Sequence, residues 1–184
     1  MSNVSRHMSG QPPPLRLVEL VRRMDEPSWQ GFLVTQSSEL LVLHRVSDRY
    51  DLDGYCVFRA EDVVSVETEF PRCELIEHAL RLKLEEARPP AGIDASSMRK
   101  LMESAQRLFG VLLIEREFVQ PGEAEVGTIR MTSTDTYVLR WLDPDAHWRN
   151  NNRSFRYRDV TRLEFGGEYE QTLLAVARSR ESDG

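Results

Sequence analysis

Short alternating runs of apolar and polar residues cover most of this chain, interrupted at three places by a longer spacing. A period of two marks a half-buried strand, and a recurrence at three and four residues marks one face of a helix. Residues 30–36 and 125–131 predict strands, each followed by a polar turn, Ser37-Ser38-Glu39 in one case and Ser133-Thr134-Asp135 in the other. Residues 40–46 and 137–142 follow as second strands, dense in branched and aromatic side chains. Two close strands joined by a short polar turn predict a hairpin at each place. Further strands are expected at 55–59 and 153–156, at 63–67 and 160–164, and at the start of each set at 15–21 and 111–118. Residues 15–21 also fit a helix. Helices are predicted at 73–86, with Ile76, Ala79 and Leu80 on one face, and around Met98, Leu101, Met102, Ala105, Leu108 and Phe109. Asp94, Ser96 or Ser97 is the candidate cap of the second helix, and Gly110 its stop. A last helix at 168–177 carries Tyr169, Leu173, Leu174 and Ala177.

The two sets of strands match each other in sequence. Gly31, Ser37, Val42 and Leu43 meet Gly127, Ser133, Val138 and Leu139 at a spacing of 96 positions, and Phe58-Arg59 with Asp62-Val63 meet Phe155-Arg156 with Asp159-Val160 at 97. Two matches in the same order at nearly one spacing predict an internal duplication. The division that follows is a flexible tail at 1–14, a first unit at 15–86, a Pro-containing linker at 87–93, a second unit at 94–178 and a flexible tail at 179–184. The core should hold Phe32, Val34, Leu41, Leu43, Val63 and Val66 in the first unit, and Ile129, Tyr137, Leu139, Val160 and Leu163 in the second.

Composition narrows the classes of function. The 184 residues are 40% hydrophobic and 29% charged, ordinary for a globular protein. No apolar run reaches the roughly 20 residues of a membrane helix, and the start lacks the apolar stretch of a secretory signal. The net charge of −6 opposes non-specific nucleic-acid binding, leaving only a local basic patch for that role. Cys56 and Cys73 are the only cysteines, too few for a disulfide framework or a zinc site, so a reducing cytoplasm is the expected setting.

Short strands, a glycine in the second and a Phe-Arg-x-x-Asp-Val segment before the last resemble the Sm-like barrel, a small SH3-type barrel. The resemblance implies an α+β protein of two tandem small antiparallel β-barrel (Sm-like/SH3-type) units, each with a flanking helix. Ring-forming, RNA-binding Sm proteins carry Asp and Asn in the hairpin turn and Arg-Gly in the last loop. Here Glu39 and Asp135 end the turns, and Arg59-Ala60 and Arg156-Tyr157 stand at the other position. The stretch Leu142-Asp-Pro-Asp-Ala-His-Trp, with Arg158-Asp-Val-Thr-Arg-Leu-Glu-Phe-Gly-Gly-Glu-Tyr-Glu, also resembles a segment of a group of uncharacterised bacterial proteins.

Three stretches were candidates for chemistry. Asp143, Asp145 and His147 have a spacing that aims two carboxylates and an imidazole at one cation, or else form a Pro-containing turn. Glu115 and Glu117 share a strand face, where alternate charges ordinarily meet water. No nucleophile elbow, zinc-binding His-Glu-x-x-His or phosphate-cradling glycine loop is present, so no catalytic residue, metal ligand or cofactor is assigned. The third stretch mixes Arg, Asn and aromatic residues between Trp141 and Arg158. Trp148, Arg149, Asn150, Asn151, Asn152 and Arg153 are its candidate partner-binding residues, since Arg and aromatics concentrate at binding hot spots. The Asn run is expected to turn, with Trp148 exposed beside it. Alternatively Trp141 and Phe155 are core residues and the run is only a polar turn. The expected function is a non-enzymatic binding or scaffold protein with an unidentified protein partner and no membrane attachment. RNA binding is the alternative, and a metal-dependent enzyme the second alternative.

Overall fold

The computed structural model describes residues 15–24 and 28–182, and for residues 131, 132 and 150–152 the backbone alone. The expectation of a flexible tail at 1–14 lies outside the described residues, as do the last two residues of the tail expected at 179–184.

Ten strands form the first level of structure. They are β1 (Leu17–Arg22), β2 (Trp29–Gln36), β3 (Leu40–Val46), β4 (Leu52–Arg59), β5 (Val63–Glu67), β6 (Leu112–Glu115), β7 (Ala124–Thr132), β8 (Thr136–Leu142), β9 (Trp148–Arg156) and β10 (Arg162–Phe165). Three helices accompany them, α1 (Cys73–Leu82), α2 (Met98–Phe109) and α3 (Glu168–Ser182). The ambiguous first segment is a strand, because its alternate residues pair with β2 and β5 on either side. Helix α3 runs past residue 177, where its apolar set ends.

The ten strands make one antiparallel sheet in the order β5-β1-β2-β3-β4-β10-β6-β7-β8-β9. This corrects the expected two small barrels with flanking helices. Closing the first half would require β4 to pair with β5. Instead β5 pairs only with β1, and the outer edge of β4 is taken by β10, with Val57 opposite Leu163 and Cys56 opposite Glu164. The sheet is therefore continuous and open, with β5 and β9 as its edges. Sequence periodicity finds strands but does not choose their lateral neighbours, and the expectation of barrels rests on the Sm-like resemblance alone.

Each half runs in the same lateral order, and the turns match atom for atom. Ser37 Oγ accepts the Leu40 amide at 3.0 Å, and Ser133 Oγ accepts the Thr136 amide at 3.0 Å. A single 3-10 turn follows the fourth strand of each half, at Ala60–Asp62 and Tyr157–Asp159. Gly31 is needed in β2 because a Cβ there would lie 2.6 Å from the His44 carbonyl oxygen.

The core is not divided between the halves. In β3, Leu40 and Val42 point to one face and Leu41 and Leu43 to the other, and all four are buried. Leu41 and Leu43 pack with Val18, Leu20, Cys56 and Phe58. Leu40, Val42 and Val57 instead join Met98, Leu101, Met102 and Ala105 of α2 and the inner residues of the second half, including Ile114, Tyr137 and Leu163. Helix α1 covers Leu17 and Val46 through Ile76 and Leu80. Helix α3 covers Val111, Leu113 and Val126 through Leu173, Leu174 and Ala177. Of the expected core, Phe32, Val34 and Val63 are only partly buried, and Val66 is 38% exposed on the edge strand β5.

Candidate functional site

The segment Trp148 to Arg153 is the start of edge strand β9, so the expected turn at Asn150, Asn151 and Asn152 is corrected. Arg140 stands opposite Asn150 and Trp141 opposite Arg149. The reversal falls earlier, at residues 143–147, where Asp143 organises it. One oxygen of its carboxylate accepts the amides of Asp145 at 3.0 Å and His147 at 2.8 Å, and the other accepts Arg149 Nε at 2.9 Å. These bonds hold the Asp143 carboxyl below its ordinary range, the His147 amide contributing most. The Asp-x-Asp-x-His spacing is therefore a turn, and among the described residues no group of three or more His, Cys, Asp or Glu stands ready to hold a metal ion. A polar strand is tolerated here because an edge strand has one free side in water, and charged residues discourage unwanted pairing there.

Trp148 is half-buried, not exposed. It packs on the cluster under α3 and lies beneath the Arg140 guanidinium, 4.4 Å from the ring centre. Its indole N–H is buried without a hydrogen-bond acceptor among the described residues. Arg149 and Arg153 are exposed, but Trp148 is turned to the core side of the strand. The expected aromatic grip beside two guanidinium groups is thus not assembled.

A different group of residues is gathered into a cleft of about 1010 Å³. Both hairpin turns reach it, through Glu39 from the first half and Thr134, Asp135 and Thr136 from the second. Both fourth strands reach it as well, through Arg59 and Arg156, and Arg158 follows. Its remaining wall is the N-terminal half of α2 and its cap, with Ser97, Arg99, Lys100 and Glu103. Five of these side chains are cationic and three acidic, the reverse of the balance in the whole chain.

The two matching arginines have different fates. Arg59 is locked into the junction of the halves, donating to the Val160 carbonyl at 2.7 Å and the Tyr157 carbonyl at 2.6 Å. Arg156 has no third half to meet. Its side chain is exposed and makes no hydrogen bond or ion pair among the described residues. Helix α2 adds positive charge at the wrong end for its own stability. Its first turn holds no acidic residue, whereas the helix dipole favours acids there and opposes Arg99 and Lys100. Ser97 caps the helix by accepting the Lys100 amide at 3.4 Å, leaving the first-turn N–H groups beside these cations. Arg99 is paired with Glu103 at 2.8 Å, while Lys100 approaches Asp94 only to 3.7 Å and Arg158 approaches Asp159 only to 3.8 Å.

Glu115 ends β6 and Glu117 lies in the turn after it, so the two do not share a strand face as expected, and both are committed to structure. Glu115 binds Arg162, and Glu117 accepts two bonds from buried Arg22, at 2.9 and 2.7 Å. Burial raises the Glu115 carboxyl and Arg162 opposes that rise. Both cysteines are free thiols, Cys56 fully buried and pushed well up by that burial.

Sequence reasoning had placed Glu39, Asp135, Arg59 and Arg156 at matching positions in the two halves, without the knowledge that they meet. It missed Arg99 and Lys100, although two cations in a helical first turn were visible once Ser97 was taken as the cap.

The chain is thus an open, ten-stranded antiparallel sheet protein with a cation-rich cleft where its halves meet a helix N-terminus. No family model matches it, and no match was found among curated proteins or solved structures. Among the described residues no helix is long and apolar enough to cross a membrane.

Proposed function

We propose that this is a non-enzymatic binding protein, built by internal duplication of a five-stranded unit, which takes an acidic segment of a protein partner in the cleft. The observation that carries the proposal is Arg156, an exposed guanidinium without an acidic partner among the described residues, lining a cleft in which Lys100 and Arg158 are also only weakly paired. A guanidinium forks two parallel bonds to a carboxylate, and the unfavourable cations of α2 become favourable once an acid approaches the helix N-terminus. The matching strand orders, turns and 3-10 segments support the duplication. The two free cysteines support a reducing cytoplasm as its setting.

An acidic protein segment is favoured over RNA. Sequence-tolerant binding of single strands needs exposed aromatic faces on which bases stack. Among the described residues, the only aromatic side chain lining the cleft is Tyr157, which is 6% exposed. Fluorescence anisotropy with a labelled acidic peptide and a labelled single-stranded RNA separates the two. Binding of the peptide that weakens as salt rises, and falls at least tenfold in Arg156→Glu, is expected. A salt-dependent RNA complex at micromolar protein, with no peptide complex, would replace the proposal by RNA binding.

A further inference from the structure

The β3–β4 turn and the β8–β9 turn share one backbone. The Ser47 amide donates to the Asp51 carbonyl at 2.8 Å and the Tyr50 amide to the Ser47 carbonyl at 2.9 Å. The corresponding bonds at Asp143 and Ala146 are 3.0 and 2.9 Å. The fourth residue is left-handed in both turns, with φ of 58° at Tyr50 and 59° at Ala146. In the second half that place holds a buried alanine under α3. The turn therefore accepts a small side chain, and its backbone gives no reason for a bulky ring, which the left-handed region disfavours. Tyr50 stands there, its ring packed in part on the cluster of Leu17, Val46, Ile76 and Leu80 under α1 and otherwise on the wall of a second cavity, of about 720 Å³.

Arg72 lines the same cavity and is also left-handed, with φ of 73°. Two of the four left-handed non-glycine residues thus belong to one cavity. Strain of this kind persists where the surroundings or a ligand use the side chain. The other two arginines of the wall are neutralised, Arg45 by Asp53 and Glu164 and Arg49 by Glu168 and Asp51. The Arg72 carbonyl accepts the Ile76 amide at 2.9 Å, but its exposed side chain makes no hydrogen bond or ion pair among the described residues, and neither does the exposed side chain of Asp48 at the tip of the turn, which lines the cavity as well. An uncommitted cation and an uncommitted anion therefore share one cavity without forming an ion pair with each other. Trp29, half-buried against Phe58 and beneath the Arg162 guanidinium, 4.5 Å from its ring centre, adds a second aromatic wall with what remains exposed of its ring.

We infer that this cavity binds a small zwitterion carrying a flat ring, of the aromatic amino-acid class. Arg72 receives the carboxylate through a forked pair of bonds. Asp48 receives the ammonium group. Tyr50 and Trp29 receive the ring, offering the edge and offset-face contacts that aromatic pairs prefer.

Isothermal titration calorimetry with L-tryptophan tests this, with indole-3-propionate lacking the ammonium and tryptamine lacking the carboxylate. Tryptophan is expected to bind at least tenfold tighter than either analogue. Arg72→Gly should abolish that binding and raise the melting temperature, because glycine occupies the left-handed region without strain. Asp48→Asn should weaken tryptophan and leave indole-3-propionate unchanged. No heat from tryptophan at millimolar concentration would overturn the inference. So would equal affinity for the analogues, unchanged binding in Arg72→Gly, or a lower melting temperature in that variant, which would mark Arg72 as structural.

Discussion

Two arginines at matching places in the two halves are buried above a phenylalanine ring. Arg22, 2% exposed, lies 5.0 Å from the centre of Phe58, and Arg116, 3% exposed, lies 3.9 Å from that of Phe155. Burying a cation is costly unless an opposite charge and hydrogen bonds compensate it, and both arginines are so compensated, although Arg116 Nε is left without a partner among the described residues. Arg22 has Glu117, and Arg116 has Glu125, Gln120 and the Tyr137 hydroxyl, to which it donates at 3.2 Å. Burial pushes the Tyr137 phenol up to about 12, against the pull of Arg116. The folded protein thus holds this proton more tightly than the unfolded chain, whose tyrosines titrate near 10. Its stabilising effect is complete below about pH 10 and lost as pH rises to about 12, a change on the order of 3 kcal/mol. Urea unfolding across that window should show wild-type stability falling more steeply than that of Tyr137→Phe. Parallel curves would mean that the phenol ionises as easily in the fold as outside it.

At the scale of the element, α3 is fastened at its start by acids from both halves. The Gly167 amide donates to Glu170 Oε1 at 2.6 Å, and the Glu168 amide donates to Asp53 Oδ1 at 2.7 Å. These bonds satisfy N–H groups that a helix leaves unpaired in its first turn. Glu170 does this from a buried position, 3% exposed, and burial raises its carboxyl above the ordinary value. A raised carboxyl contributes stability below its unfolded pKa and loses that contribution as pH rises through the folded one. At neutral pH the carboxylate therefore caps the helix while bearing a desolvation cost. Glu170→Gln keeps an acceptor for the Gly167 amide and removes that cost, so its melting temperature at pH 7 should equal or exceed that of wild type. Glu170→Ala should lose about 1 kcal/mol, the usual worth of a cap. A Gln variant as unstable as the Ala variant would show that the charge itself is required.

At the scale of the molecule, the junction of β4 with β10 makes the halves one folding unit. Leu40, Val42 and Val57 are fully buried, and they are buried by α2 and the second half. Exposing them would cost roughly 2 kcal/mol for each side chain, a sum comparable with the whole stability of a typical domain. The chain should accordingly unfold in a single transition. Tryptophan fluorescence reports both halves, through Trp29 and Trp148, and far-ultraviolet circular dichroism reports the sheet. Coincident midpoints in urea are expected. Two separated transitions would show that each half carries its own core.

The sequence by itself determined most of the strands and helices, because burial on one face writes a period of two or of three and four into the chain. It did not show the start of β9, where the polar run at 150–152 carries no such period. It also marked the matching positions of the halves, down to Ser37 and Ser133 at the hairpin turns. The lateral order of strands is another matter. Backbone hydrogen bonds pair any two extended edges, so nothing in the residues of β4 and β10 announced that they would meet and leave the sheet open. The difference between Arg59, locked against Tyr157 and Val160, and Arg156, left at the cleft, came only from that pairing. The face that Trp148 presents was likewise decided by register, since a shift of one residue turns every side chain of a strand to its other side.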